Sequence, residues 1–270
     1  MKMLMLGDIV GRPGKHACSQ IVPRMIRDHQ LDLVIANAEN ASNGSGLTPT
    51  MFKKLLHYGI DGCTMGDHIY RRREIFPLLE SSDRIIRPAN LPPEAVGRQL
   101  MICEGRNGEK LAVISVLGRV FMNTRSDCPF HAVDRVMQQI PSDVKCVLVD
   151  VHAETTSEKV AMGWYLDGRV SAVVGTHTHI PTADERVLPN GTAYITDLGM
   201  TGPYDSVLGR LKDRVVKSLV TGMPFPYDMA EHDARLCGVI IEIDAASGKA
   251  RSIERVCVLD DGPPDGDDGD

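Results

Sequence analysis

A succession of short apolar runs, several of them closed by an acid, an amide or a histidine, most constrains what this chain can fold into. The runs cover residues 3–6, 33–36, 62–65, 111–116, 144–149, 172–174, 193–196 and 238–243. Largely apolar stretches of this length, most of them rich in Val, Ile and Leu, read as strands buried on both faces. Helical segments lie between several of them. Residues 51–57 follow Thr48, which suits an N-cap, and Pro49, which suits the first turn. Residues 207–219 place Leu208, Leu211, Val215, Val216 and Leu219 at helical spacing. This alternation predicts an α/β fold. Segments 238–243 and 250–258 flank Ala-Ser-Gly-Lys and read as a hairpin, and 101–103 with 111–116 read as another around Asn107-Gly108. No internal repeat or long linker interrupts the pattern, so residues 1–260 are expected to form one domain with mixed sheets.

Hydrophobic residues make up 43% of the chain, enough for a packed core. The net charge is −6, and part of the acidic excess falls in residues 261–270, which hold only Asp, Gly and Pro. That segment is expected to be a disordered tail. The remainder is nearly balanced, which excludes an extended basic surface for nucleic acid. Cys18, Cys63, Cys103, Cys128, Cys146, Cys237 and Cys257 are scattered and odd in number, with no C-x-x-C pair. They fit reduced thiols and a cytoplasmic location better than a disulfide framework or a thiolate zinc site. The N-terminal apolar run ends at Gly7-Asp8, too short for a signal or a membrane span.

Chemistry enters at the strand ends. Asp8 follows the first run, Glu39-Asn40 the second and Asp67-His68 the third; His152 follows 147–151, and His177 with His179 follow 173–176. In open α/β sheets, sites form outside the carboxyl ends of the strands, so parallel neighbours would bring these side chains together. Buried carboxylates and imidazoles in such number need a cation to neutralise them. Mixed oxygen and nitrogen donors suit Fe, Mn, Co or Zn. Asp8, Glu39, Asp67, His152, His177 and His179 exceed the roughly three protein ligands of one catalytic zinc. Two ions about 3.5–4 Å apart, bridged by a carboxylate and a hydroxide, use them better and serve in-line phosphoryl displacement. In an extended segment, His177 and His179 would point to one side and straddle the pair.

Other polar features carry less. His16, His29, His57, His131 and His232 lack such partners and read as structural. The stretch from Gly7 to Gly14 lacks G-x-G-x-x-G spacing and is not read as a dinucleotide turn. Arg71-Arg72-Arg73 reads as a solvated helix face. Aromatic residues are few, leaving Tyr70 and Tyr204 as candidates for base stacking and Arg12 and Thr201 for phosphate contact.

Six segments, namely 7–11 (GDIVG), 37–40 (NAEN), 65–68 (MGDH), 152–159 (HAETTSEK), 174–179 (VGTHTH) and 197–205 (DLGMTGPYD), together resemble the bacterial YmdB-type branch of the calcineurin-like metallophosphoesterases. The resemblance implies a four-layer α/β/β/α sandwich and a dinuclear iron or manganese site. It also implies phosphodiesterase activity on 2′,3′-cyclic nucleotides. Carried over, Asp8, Asn40 and His179 would hold one ion, and Asp67, His152 and His177 the other, with Glu39 bridging. A metal-bridging hydroxide would attack phosphorus, and His68 would be the general acid that protonates the leaving oxygen. The family pattern has Asn where this chain has Asp67, which adds one negative charge and is expected to bind metal more tightly and make it less Lewis-acidic. Rival readings are a phosphomonoesterase or nucleotidase on the same centre, a metal-binding regulator with weak or no turnover, and an amide-cleaving dinuclear enzyme. The expected partner is a small nucleotide or phosphodiester, with no membrane; a homo-oligomer is compatible with all of these.

Overall fold

A computed structural model describes residues 1–262. The chain begins with β1 (Lys2–Leu6), β2 (Asp8–Ile9), α1 (Gly11–His29), β3 (Leu33–Asn37), α2 (Pro49–His57) and β4 (Gly62–Thr64). A 3₁₀ turn at Arg73–Ile75 leads into α3 (Phe76–Ser81), β5 (Ile85–Ile86), β6 (Met101–Glu104) and β7 (Lys110–Leu117). Then come α4 (Pro129–Met137), β8 (Cys146–His152), α5 (Thr156–Leu166), β9 (Ala172–Thr176), β10 (Arg186–Val187) and β11 (Ala193–Ile195). The described chain closes with β12 (Met200–Pro203), α6 (Lys212–Thr221), β13 (Ala234–Asp244) and β14 (Lys249–Leu259). The acidic tail expected at 261–270 lies, apart from its first two residues, outside the described residues.

The strands form two mixed sheets. One runs β2-β12-β13-β1-β3-β4-β5, with β14 added on β13, and the other runs β10-β11-β9-β8-β7-β6. Strands β1, β3 and β4 are parallel to one another, as are β7, β8 and β9. Both hairpins read from the sequence are present as β6–β7 and β13–β14.

Side-chain alternation explains how the central strands are buried on both faces. Leu4 and Leu6 of β1 and Val34 and Ala36 of β3 join Ala17, Ile21 and Val22 of α1 and Phe52 and Leu55 of α2 in one apolar cluster. Met3, Met5, Leu33 and Ile35 of the same strands face Val113, Leu148, Ala172 and Val174 of the other sheet in a second cluster. Val147, Val149 and Val173, on the reverse side of that sheet, pack with Val133 and Val136 of α4 and Met162 and Leu166 of α5 in a third. This double burial is why the strands read as continuous apolar runs. Thr48 caps α2 as expected, its hydroxyl accepting the Met51 N–H at 3.2 Å.

One expected helix is displaced. Residues 207–211 form a turn, with Leu208 and Gly209 both at positive φ (54° and 91°), and α6 begins only at Lys212. Of its apolar face, Val215 is buried, whereas Leu208, Leu211, Val216 and Leu219 are exposed. Helical spacing overstated this segment, because its turn is shaped by contacts with the site rather than by local propensity.

The inter-sheet cluster gives a direct test. Leu148→Ala, at a fully buried position between the sheets, should cost about 2–5 kcal/mol. Denaturant unfolding followed by circular dichroism measures this.

Candidate metal centre

The strand-end residues meet, but not as neighbours in one sheet. Asp8, Glu39, Asn40, Asp67 and His68 come from the sheet containing β1, β3 and β4, and His152, His177 and His179 from the ends of β8 and β9 in the facing sheet. Glu39, Asp67, His152 and His177 each present a donor atom, all within 4.8 Å of one another. His152 Nε2 lies 3.1 Å from both Glu39 Oε1 and Asp67 Oδ1, and 3.0 Å from His177 Nδ1. A second group adjoins it. Asp8 Oδ1 accepts a hydrogen bond from Asn40 Nδ2 at 3.2 Å and lies 3.7 Å from His179 Nε2, and Asp8 Oδ2 accepts the His177 backbone N–H at 3.1 Å. Asn40 Nδ2 is 3.2 Å from His179 Nε2 and 3.4 Å from Glu39 Oε1, which joins the two groups. Asp8, Glu39 and His152 have no solvent exposure.

His177 and His179 are not carried on an extended segment. Both have positive φ, 96° and 65°, so left-handed turns rather than strand alternation send one ring to each group. Between them, Thr178 is anchored by Asp197, which accepts its N–H at 3.2 Å and its hydroxyl at 2.7 Å. Asp197 is itself paired with Lys159 Nζ at 2.6 Å, with both side chains buried.

Each imidazole is held by its outer nitrogen. His152 Nδ1 lies 2.9 Å from Thr176 Oγ1, whose hydroxyl donates to Asp150 Oδ1 at 2.7 Å. Thr64 also donates to Asp150, at 2.5 Å. Because the Thr176 hydrogen is spent on Asp150, the hydroxyl accepts from His152 Nδ1–H. His177 Nε2 faces Glu154 Oε2 at 3.2 Å, and His179 Nδ1 faces the Leu208 carbonyl at 3.1 Å. With the outer nitrogens donating, the inner lone pairs of all three rings face the carboxylates. Outer partners of this kind fix the tautomer of metal-ligating histidines. Two inner nitrogens 3.0 Å apart, flanked by carboxylates, require positive charge between them. The donor set therefore fits transition-metal cations.

Electrostatics agree. Burial alone would raise the pKa of Asp8, but the hydrogen bond and charge of His179 outweigh it and hold Asp8 well below the ordinary carboxylate range. Asp67 is lowered likewise, with His152 and His177 overcoming its burial. Burial opposes a charged His152, yet Glu39 and Asp67 hold its pKa well above the ordinary imidazole value. His179 is raised against its burial by Asp8. The inner nitrogens thus attract positive charge, which a proton or a metal ion can supply. Asp150 moves the other way, its burial raising its pKa.

His68 sits at the rim with its side chain 28% exposed. Its Nδ1 lies 2.7 Å from Asn40 Oδ1, its N–H donates to Glu39 Oε2 at 2.9 Å, and its Nε2 is 3.7 Å from Asp67 Oδ2. A cavity of about 280 Å³ opens over the cluster, with Val10, Asn40, His68, His177, Leu208 and Arg210 among its walls. Arg210 donates to the carbonyls of Asn43, Gly44 and Tyr227.

The candidates for substrate contact fare differently. Tyr70 bonds the Val96 carbonyl, Tyr204 bonds the Met200 carbonyl and the Cys237 sulfur, and Thr201 is buried against Cys237. None of these three lines the cavity, and neither does Arg12. Arg71 and Arg73 are exposed, while Arg72 bonds the Ser45 carbonyl at 3.3 Å. Asp150, Thr176, Glu154 and Arg210 carry no site role in the sequence reading, and Leu208 figures there only as an apolar helix position. Asp150 alone left a signal, as a carboxylate inside the apolar run Val147-Leu148-Val149-Asp150-Val151.

Asp150→Asn should leave the ligands in place yet release the Thr176 hydroxyl from its fixed direction. Metal affinity should then fall by roughly 10–100-fold. Competition titration against a chromophoric chelator checks this, and unchanged affinity would mean that the Asp150–Thr176 link does not orient His152.

Comparison with known proteins places this geometry among relatives. The chain is 43% identical over 261 residues to the 2′,3′-cyclic-nucleotide 2′-phosphodiesterase of Bacillus subtilis, covering 97% of this chain and 98% of that protein. A crystal structure of a hypothetical protein from Thermus thermophilus superposes with a TM-score of 0.89 at 41% identity, covering 96% of this chain and 99% of that one. A phosphatase structure from Mycoplasma pneumoniae gives a TM-score of 0.90 at 32% identity, covering 97% and 95%. The family profile described as YmdB-like protein matches residues 4–256, and the chain belongs to that family.

Proposed function

We propose that this chain is a cytoplasmic phosphodiesterase with a dinuclear transition-metal centre, acting on 2′,3′-cyclic nucleotides. The observation that carries the reading is the set of three imidazoles, each tied at its outer nitrogen and each turning its inner nitrogen toward buried carboxylates. The name of the Bacillus relative supports the substrate class. In this reading Asp8, His179 and Asn40, its amide turned so that Oδ1 rather than Nδ2 faces them, would hold one ion, and Asp67, His152 and His177 the other. Glu39 adjoins both groups and would be shared between the two ions. Iron or manganese is the proposed occupant, with zinc or cobalt as chemical alternatives. The three apolar clusters support a four-layer α/β/β/α sandwich, read as one domain over residues 1–260.

When bound, two such ions would neutralise phosphoryl oxygens and make water acidic enough to serve as the nucleophile. The protein's own groups do the rest. Its cavity binds one small phosphodiester, and Arg210 adds a cation to the wall. His68 stands at the rim as the general acid: Asn40 holds Nδ1, leaving Nε2 to protonate the departing ribose oxygen. Such proton transfer contributes typically about 10²–10⁴-fold. Glu39 fixes the His68 backbone, so ligand and acid are positioned by one carboxylate. Asp67, the acid at the position where the family pattern has Asn, lies within the donor cluster.

Metal content of protein purified without chelator, measured with hydrolysis of 2′,3′-cyclic AMP and bis-p-nitrophenyl phosphate, tests the reading. Two ions per chain and metal-dependent turnover are expected. Metal without hydrolysis would favour the regulatory alternative, and hydrolysis confined to monoesters would favour the phosphatase. A chain that takes up no Mn²⁺ or Fe²⁺ overturns the proposal.

His68→Ala should slow cleavage of the cyclic nucleotide by about 10²–10⁴-fold. The activated aryl ester needs little protonation and should lose much less. Equal losses on both would remove His68 as the acid.

A further inference from the structure

Away from the metal centre, the long hairpin β13–β14 sets two cysteines directly opposite each other. Cys237 pairs with Cys257 in the antiparallel register, and their sulfurs are 3.4 Å apart. The hydrogen-bond pattern fixes which kind of pair this is. Asp260 donates its N–H to the Ala234 carbonyl, so the bonded pairs of this ladder fall at even positions of β13. Cys237 turns its carbonyl the other way, accepting from Gly7 at 3.0 Å, and its N–H bonds the Thr201 hydroxyl. Cys237 and Cys257 therefore form a non-hydrogen-bonded pair, where facing Cα atoms stand roughly 4.5 Å apart. That separation falls inside the range of about 4.4–6.8 Å that a disulfide spans.

The two thiols have different surroundings. Cys237 is buried, with the Tyr204 hydroxyl 3.1 Å from its sulfur, whereas Cys257 is exposed, in the neighbourhood of the Arg235 guanidinium, which is itself held by Asp233. An exposed cysteine with a second thiol facing it at 3.4 Å combines the features of a site that oxidises and is then resolved.

We infer that Cys237 and Cys257 are a reversible oxidation site, closing a cross-strand disulfide on exposure to a hydroperoxide. Cys257 thiolate attacks the peroxide, the O–O bond breaks, and the leaving oxygen takes a proton to depart as water or an alcohol. The resulting sulfenic acid is attacked by the Cys237 thiol; the S–S bond forms, and the hydroxyl leaves with the thiol proton as water. Two thiols are oxidised and one peroxide is reduced. The bond would fasten β14, which among the described residues pairs only with β13, to the strand that borders β1. It is independent of the metal centre.

Peptide mapping of the full-length protein, treated with hydrogen peroxide, alkylated and digested without reductant, tests this. One cross-linked peptide pair containing Cys237 and Cys257 is expected, disappearing after dithiothreitol. Cys237→Ser should divert Cys257 to sulfinic or sulfonic acid under the same treatment. Finding Cys257 overoxidised and Cys237 still alkylated in the native chain would overturn the inference. So would a Cys257 oxidation product that Cys237→Ser leaves unchanged.

Discussion

Burial of carboxylates against imidazoles at the junction of the two sheets is the interaction on which the rest of the structure depends. Asp8 and Glu39 are removed from solvent, and an unpaired charge in that position would cost several kcal/mol by order of magnitude. The partners that relieve this cost, His152, His177 and His179, come from the opposite sheet. The same apposition that buries Met3, Met5, Leu148 and Val174 between the sheets thus sets the distance between unlike charges at their ends. Packing and chemistry are one problem here, because a shift of either sheet would separate the donors as it opened the core.

Supporting contacts extend this logic outward. Asp150 receives hydroxyls from Thr64 of one sheet and Thr176 of the other, so the residue that orients His152 also ties the sheets together. Lys159 and Asp197 form a buried ion pair that anchors Thr178 and with it the two left-handed histidines. Backbone conformations of that kind persist only where surrounding contacts over-determine them. The Leu208 carbonyl orients His179, and this use of the turn explains why residues 207–211 depart from the helix that their spacing suggests.

His68 illustrates a division of labour within one short segment. Its neighbour Asp67 points into the donor cluster, while His68 stays at the rim with access to the cavity. Glu39 touches both groups of donors and also fixes the His68 backbone. A cation in the cluster would therefore be felt by the residue assigned to proton transfer through a single shared carboxylate.

Much was legible from the sequence by itself. Strands buried on both faces are predominantly apolar, so β1, β3, β4, β7, β8 and β9 announced themselves, and the polar residues at or just beyond the ends of β1, β3, β4, β8 and β9 stood out by contrast. Thr48 and Pro49 marked a helix start through local chemistry alone. Motif order along the chain pointed to the family that the comparisons show. Tertiary structure decided what depends on distance between remote segments. It placed His152, His177 and His179 in a different sheet from Asp8, Glu39 and Asp67, and turned His177 and His179 through positive φ. It also recruited Asp150, Glu154 and the Leu208 carbonyl, and took Tyr204 away from the cavity. Local sequence carries propensity and periodicity, whereas orientation of a side chain by a partner on another element exists only once the core has brought the two together.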